Sequence, residues 1–168
     1  MSVTDPNRSV MTGRIRPRAN VHHPHGYLAN MTALDRCQAA LRISGDDLVP
    51  EELSRLFDHF YTEGWVKGYE YLTSSGAVVV RKTGAWILEA EPTGSADFDG
   101  QISRLLGCID VSLDDWALLA KRFEIDIFCG WFMRETNEGI AVSPQTMRML
   151  SERNITLSVD LYAPSGDE

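Results

Sequence analysis

The sequence predicts an α+β fold, a mixed or antiparallel sheet with its helices packed on one face. Two related units of strand, proline and amphipathic helix stand far apart, in residues 41–53 around Pro50 and residues 139–147 around Pro144. Proline suits the first helical turn, because its φ is already helical and its missing N–H would be unpaired there. Elsewhere, segments that alternate with period 2 are interleaved with segments whose apolar residues recur every three or four positions. Two strand-like runs are separated only by Thr83-Gly84, the spacing of a tight hairpin.

In chain order, residues 39–43 form a short apolar strand, and Leu53, Leu56, Phe57 and Phe60 then mark one face of a helix that Gly64 ends. Residues 65–72 are extended. The runs 77–82 and 85–89 flank Thr83-Gly84, a register that would set Arg81 opposite Trp86 and Val79 opposite Leu88. Phe98, Ile102, Leu105 and Leu106 give the next helix its stripe. Ser112 with Asp115 opens another helix with a variant capping box, and Trp116, Leu119, Ala120 and Phe123 form its buried face. Ile125, Ile127, Cys129 and Trp131 alternate along a strand. In the second unit, residues 139–142 form a strand, Ser143 caps the helix, and Met147 and Leu150 pack. Ile155, Leu157, Val159 and Leu161 alternate with Thr156, Ser158, Asp160 and Tyr162 in the last strand. The expected order is β-α-β-β-β-α-α-β-β-α-β.

At 168 residues, 43% hydrophobic and 24% charged, the chain suits one globular domain with a real core. Residues 1–30 have the composition of a disordered arm, residues 31–163 form the domain, and residues 164–168 are a polar tail. The arm carries Arg8, Arg14, Arg16 and Arg18 against Asp5, a net of +3, which leaves 12 basic and 23 acidic residues, or −11, for the remainder. So acidic a body repels phosphate backbones, so nucleic acid is not the expected partner; a basic protein is. No apolar run reaches the length of a membrane span, and no secretory leader is visible. Cys37, Cys108 and Cys129 make neither a disulfide framework nor a metal pair, which fits a reducing cytoplasm.

The run Leu41-Arg42-Ile43-Ser44-Gly45-Asp46-Asp47-Leu48-Val49-Pro50-Glu51-Glu52-Leu53 resembles the opening of bacterial domain-of-unknown-function family 4279. Residues 65–68 (Trp-Val-Lys-Gly), 81–88 (Arg-Lys-Thr-Gly-Ala-Trp-Ile-Leu) and 126–131 (Asp-Ile-Phe-Cys-Gly-Trp) are similar to it in the same order. The closing segment from Gly139 to Tyr162 completes the resemblance, and the residues before Met31 lie outside it. The family implies no established activity or catalytic residues. Some of its members look like immunity proteins of toxin systems, which would make the chain an inhibitor.

No catalytic constellation emerges. Cys129 would need a histidine as base, and His59, the only one outside the arm, falls beside the apolar face of its helix. No glycine-rich phosphate loop joins strand to helix, so no cofactor is expected. Asp46 and Asp47 form a candidate binding turn, but two carboxylates are too few for a metal centre. The remaining candidate is a cationic–aromatic patch of Arg81, Trp86, Trp65 and Lys67. The expected function is a non-enzymatic binding protein, with a small-ligand sensor or an enzyme of unrecognised type as the alternatives.

Overall fold

The computed structural model describes residues 36–91, 97–135 and 138–163, all within the unit Met31–Glu168. The arm (1–30) and the tail (164–168) lie outside the described residues. Eleven elements follow in order: β1 Arg36–Gly45, α1 Pro50–Phe57, β2 Glu63–Trp65, β3 Glu70–Leu72, β4 Val78–Val80, β5 Gly84–Glu89, α2 Phe98–Gly107, α3 Leu113–Leu119, β6 Glu124–Phe132, α4 Pro144–Glu152 and β7 Thr156–Tyr162. The main sheet has the order β2-β5-β1-β6-β7, and β3 and β4 form a separate ribbon. Pairing is antiparallel except for β6 and β7, which run parallel and are joined through α4. The fold is therefore α+β with a mixed sheet. No described helix is long and apolar enough to cross a membrane.

The central strand β1 explains the layering. Its period of 2 turns Cys37, Ala39, Leu41 and Ile43 to one face, where each is at most 1% exposed. On that face Leu41 stands between Leu88 and Ile127, and Ile43 between Trp86 and Ile125. All four described helices add to the same cluster: Leu53 and Phe57 from α1, Ile102 and Leu106 from α2, Trp116 from α3 and Leu150 from α4. The other face carries no described helix.

Helix starts follow local chemistry. The Ser112 hydroxyl accepts from the Asp115 N–H, and the Asp115 carboxylate accepts from the Ser112 N–H, the reciprocal cap expected from the sequence. Ser143 caps α4 through the Thr146 N–H. Helix α1 starts at Pro50 after Val49, which offers no side-chain cap.

Five expectations need correction. The β4–β5 hairpin does not form: β4 pairs with β3, and both edges of β5 are taken by β1 and β2. Gly84 is needed for close approach rather than a turn, since a Cβ there would lie 2.5 Å from the Leu48 carbonyl oxygen. Residues 65–72 are not one extended run, because a turn in which the Tyr69 N–H donates to the Val66 carbonyl separates β2 from β3. Residues 139–142 form no strand, for β6 already bonds β1 on one edge and β7 on the other. The second unit thus keeps its proline and helix but lacks its strand. Finally, α1 ends at Asp58 in the left-handed region, so Phe60 is 86% exposed and only Leu53 and Phe57 of the predicted stripe are buried. In α4, likewise, Met147 is exposed while Leu150 is buried.

Candidate functional site on the helix-free sheet face

The same alternation that buries one face of β1 presents Gln38, Ala40, Arg42 and Ser44 on the other. The register places Asp126 of β6 and Ile87 of β5 beside Arg42, and Phe128 beside Ala40. Thr156 and Ser158 of β7 continue the surface past β6, and Trp65 of β2 closes it on the far side of β5. Arg42, Ser44, Trp65, Ile87, Asp126, Thr156 and Ser158 of this surface line a groove of about 730 Å³ that draws on β1, β2, β5, β6 and β7. A smaller hollow of about 400 Å³ adjoins it, sharing Ser44, Thr83, Ala120, Phe123 and Glu124. Another, of about 560 Å³, is built from residues 51–61 alone, whereas the sheet groove and its adjoining hollow join segments far apart in the chain.

The groove floor is an ion pair. Arg42 donates from Nε to Asp126 Oδ1 at 2.9 Å and from Nη2 to Oδ2 at 2.5 Å, a bidentate contact. The hydrogen bonds that Asp126 accepts raise the guanidinium pKa above its ordinary value, and Asp160 adds to the effect, so Arg42 stays charged. Its guanidinium lies 4.2 Å from the centre of the Phe128 ring. Further along the same face, Arg36 sits 4.1 Å over Phe132, which stacks on Tyr162 at 4.6 Å. The carboxylates of Asp126 and Asp160 act on the Arg42 charge, Glu124 lines the same groove, and Lys121 and Arg122 line the adjoining hollow.

The predicted site residues fall in three places. Arg81 does not pair with Trp86: its guanidinium lies 3.6 Å over Trp65 and 4.5 Å over Tyr71. Trp86 is fully buried, on the helix-covered face, with its Nε1–H donating to Ser54 Oγ, so it belongs to the core and not to a surface patch. Lys67 reaches Asp46 at 2.5 Å, and Arg122 reaches Asp47 at 2.9 Å. The Arg122 hydrogen bond lowers the Asp47 carboxyl pKa. Both carboxylates of the turn are thus committed to cations of this chain. Trp65 alone of the six lines the groove, with its Nε1–H fixed on the Thr83 carbonyl at 3.1 Å; Asp46 lines the adjoining hollow.

Cys129 is fully buried, and a hydrogen bond with Cys37 and burial push its thiol far above the usual range, the opposite of an activated nucleophile. His59 Nδ1 lies 2.8 Å from the Phe60 carbonyl oxygen. Among the described residues no group of three or more His, Cys, Asp or Glu is placed to hold a metal ion.

The chain matches the family model "Domain of unknown function (DUF4279)" over residues 35–164. It belongs to the DUF4279 family. No curated protein and no solved structure matches it. The match in this DUF4279 protein spans every described element, so the groove is a feature of the family domain as this chain builds it.

The Arg81 cluster carries a prediction of its own. A fully exposed charge could be reversed without loss of stability, but Arg81 is half-buried between two rings. Two such cation–π contacts are worth about 1–2 kcal/mol together. Arg81→Glu is therefore expected to lower the melting temperature by a few degrees, measured by circular dichroism. An unchanged transition would mean that the cluster contributes nothing to folding.

Proposed function

We propose that this DUF4279 protein is a non-enzymatic binding protein that takes a basic protein segment into the groove on its helix-free sheet face. The observation that supports this reading best is the groove itself: an open channel across five strands in which Asp126 neutralises Arg42 and the exposed Glu124 is the lining carboxylate outside that pair. A net charge of −8 steers cationic partners towards the surface at long range. At short range, Glu124 in the groove and Asp160 near Arg42 accept from ammonium or guanidinium groups, and the Trp65 ring supplies apolar contact. An immunity-type inhibitor is the form of this reading in which the basic partner is a toxin; a toxin gene beside its own would support it.

Titrating the isotope-labelled full chain with an extended Lys/Arg-containing peptide, and with its Glu-containing counterpart, tests the reading. The basic peptide is expected to shift amides of β1, β6 and β7 around Arg42 in a salt-sensitive way, and the acidic one to shift none. Glu124→Lys, an exposed change that leaves the Arg42–Asp126 pair intact, should weaken binding about fivefold, or about 1 kcal/mol. Shifts confined to other surfaces, or none with the basic peptide, overturn the proposal.

The volume favours a second reading, a small-ligand sensor, since about 730 Å³ falls within the usual size of small-molecule sites. A metabolite that raises the melting temperature of the parent but not of Glu124→Lys would favour it over capture of a protein.

A further inference from the structure

We infer that β7 is a self-complementary edge through which two copies of this chain pair, joining their sheets into one. The two edges of the sheet differ. Strand β2 is only three residues long, a blunted edge of the kind that resists pairing. Strand β7 spans seven residues, Thr156–Tyr162, without proline, glycine, lysine or arginine, and Asp160 is its one charge.

Its backbone defines what it offers. The Met133 N–H donates to the Tyr162 carbonyl, and alternate residues of a parallel strand bond the same neighbour. Thr156, Ser158, Asp160 and Tyr162 therefore turn their backbone groups to β6, and Leu157, Val159 and Leu161 turn theirs outward. Among the described residues no backbone hydrogen bond fills these outward positions.

A two-fold axis through Val159 satisfies them all. Antiparallel pairing then sets Val159 against Val159 of the second copy, and Leu157 against Leu161 in both directions. Every outward N–H meets an outward carbonyl in hydrogen-bonded pairs. Side chains match as well. Leu157, Val159 and Leu161 share the helix-side face with Ile127, Cys129 and Trp131, so the pairing places leucine on leucine and covers Leu161, which is 65% exposed in the single chain. On the other face Asp160 meets Ser158 of the second copy, a hydroxyl donor rather than a like charge. That face carries the groove, so the pairing would also bring two grooves edge to edge.

Sedimentation of the full chain at roughly 100 μM, enough to populate an interface at the small end of the stable range, should give twice the 18.8 kDa of one chain. Leu161→Lys, at an exposed position, should keep the circular dichroism of the parent and sediment as a monomer. Val159→Pro removes an outward N–H while sparing the bonds to β6, and should do the same. If either variant fails to fold, amide exchange in the parent decides, with protection of Leu157, Val159 and Leu161 expected to rise with concentration. A parent that stays monomeric, a dimer that survives Leu161→Lys, or outward amides whose exchange ignores concentration would each overturn the inference.

Discussion

Phe57→Ala is expected to cost about 3–5 kcal/mol of folding free energy, the range for truncating a large aromatic in a packed core. Phe57 is 2% exposed and joins two tryptophans. Its ring stacks on Trp116 with centroids 5.4 Å apart and meets Trp86 edge-on at 5.2 Å. Removing it opens a void shared by α1, α3 and β5, lined by rigid indoles that collapse poorly. Urea unfolding followed by tryptophan fluorescence would read the loss as a lower midpoint at constant slope. A midpoint equal to the parent's would show that α1 does not pack as described.

Gln101→Leu should be nearly as damaging, although it inserts an apolar side chain into an apolar core. Strand β1 extends beyond the end of its partner β5, whose ladder stops at the Ala40–Glu89 pair, with one further bond from the Ala90 N–H to the Ala39 carbonyl. The fully buried Gln101 amide continues that edge from α2, accepting from the Ala39 N–H at 2.8 Å and donating to the Cys37 carbonyl at 2.9 Å. Leucine would leave both backbone groups buried without these bonds. At about 1–3 kcal/mol each, the loss is about 2–6 kcal/mol. Faster amide exchange at Ala39 would accompany it. A leucine variant as stable as the parent would mean that water replaces the glutamine.

These residues also show what the sequence makes legible. Cys37, Ala39, Leu41 and Ile43 announce a buried strand face through alternation alone, and the Ser112–Asp115 box marks a helix start, because both signals are local. The β4–β5 hairpin failed for the converse reason. Two-residue spacing is a local cue, whereas the edges of β5 are claimed by β1 and β2 from far along the chain. Residues 139–142 look like a strand, yet no free edge of β6 remains to receive them. Trp86 looked like a surface partner for Arg81 only because the hairpin register put it there.

The groove was partly legible. Arg42 between Leu41 and Ile43, and Asp126 between Ile125 and Ile127, are opposite charges set into alternating strands, which marks an outward face. That they face each other depends on pairing between β1 and β6, which no local pattern reveals. Trp65 was singled out for its indole, and its place at the groove wall follows from β2 bonding β5. Gln101 gave no signal, since a polar residue in a helical stripe ordinarily points to solvent.

The placement of β1 at the centre of the sheet sets the timing of folding during synthesis. It is the first described strand to leave the ribosome, yet its β6 partners lie 80 to 96 residues later, from Ser44–Glu124 to Arg36–Phe132. At ordinary elongation rates that is a wait of roughly 4–20 s. Through that interval the apolar row of Cys37, Ala39, Leu41 and Ile43 can be closed on one side only, by β5. The five-stranded sheet therefore closes late, around its oldest segment, and that apolar row stays open on its β6 side while the chain is still being made.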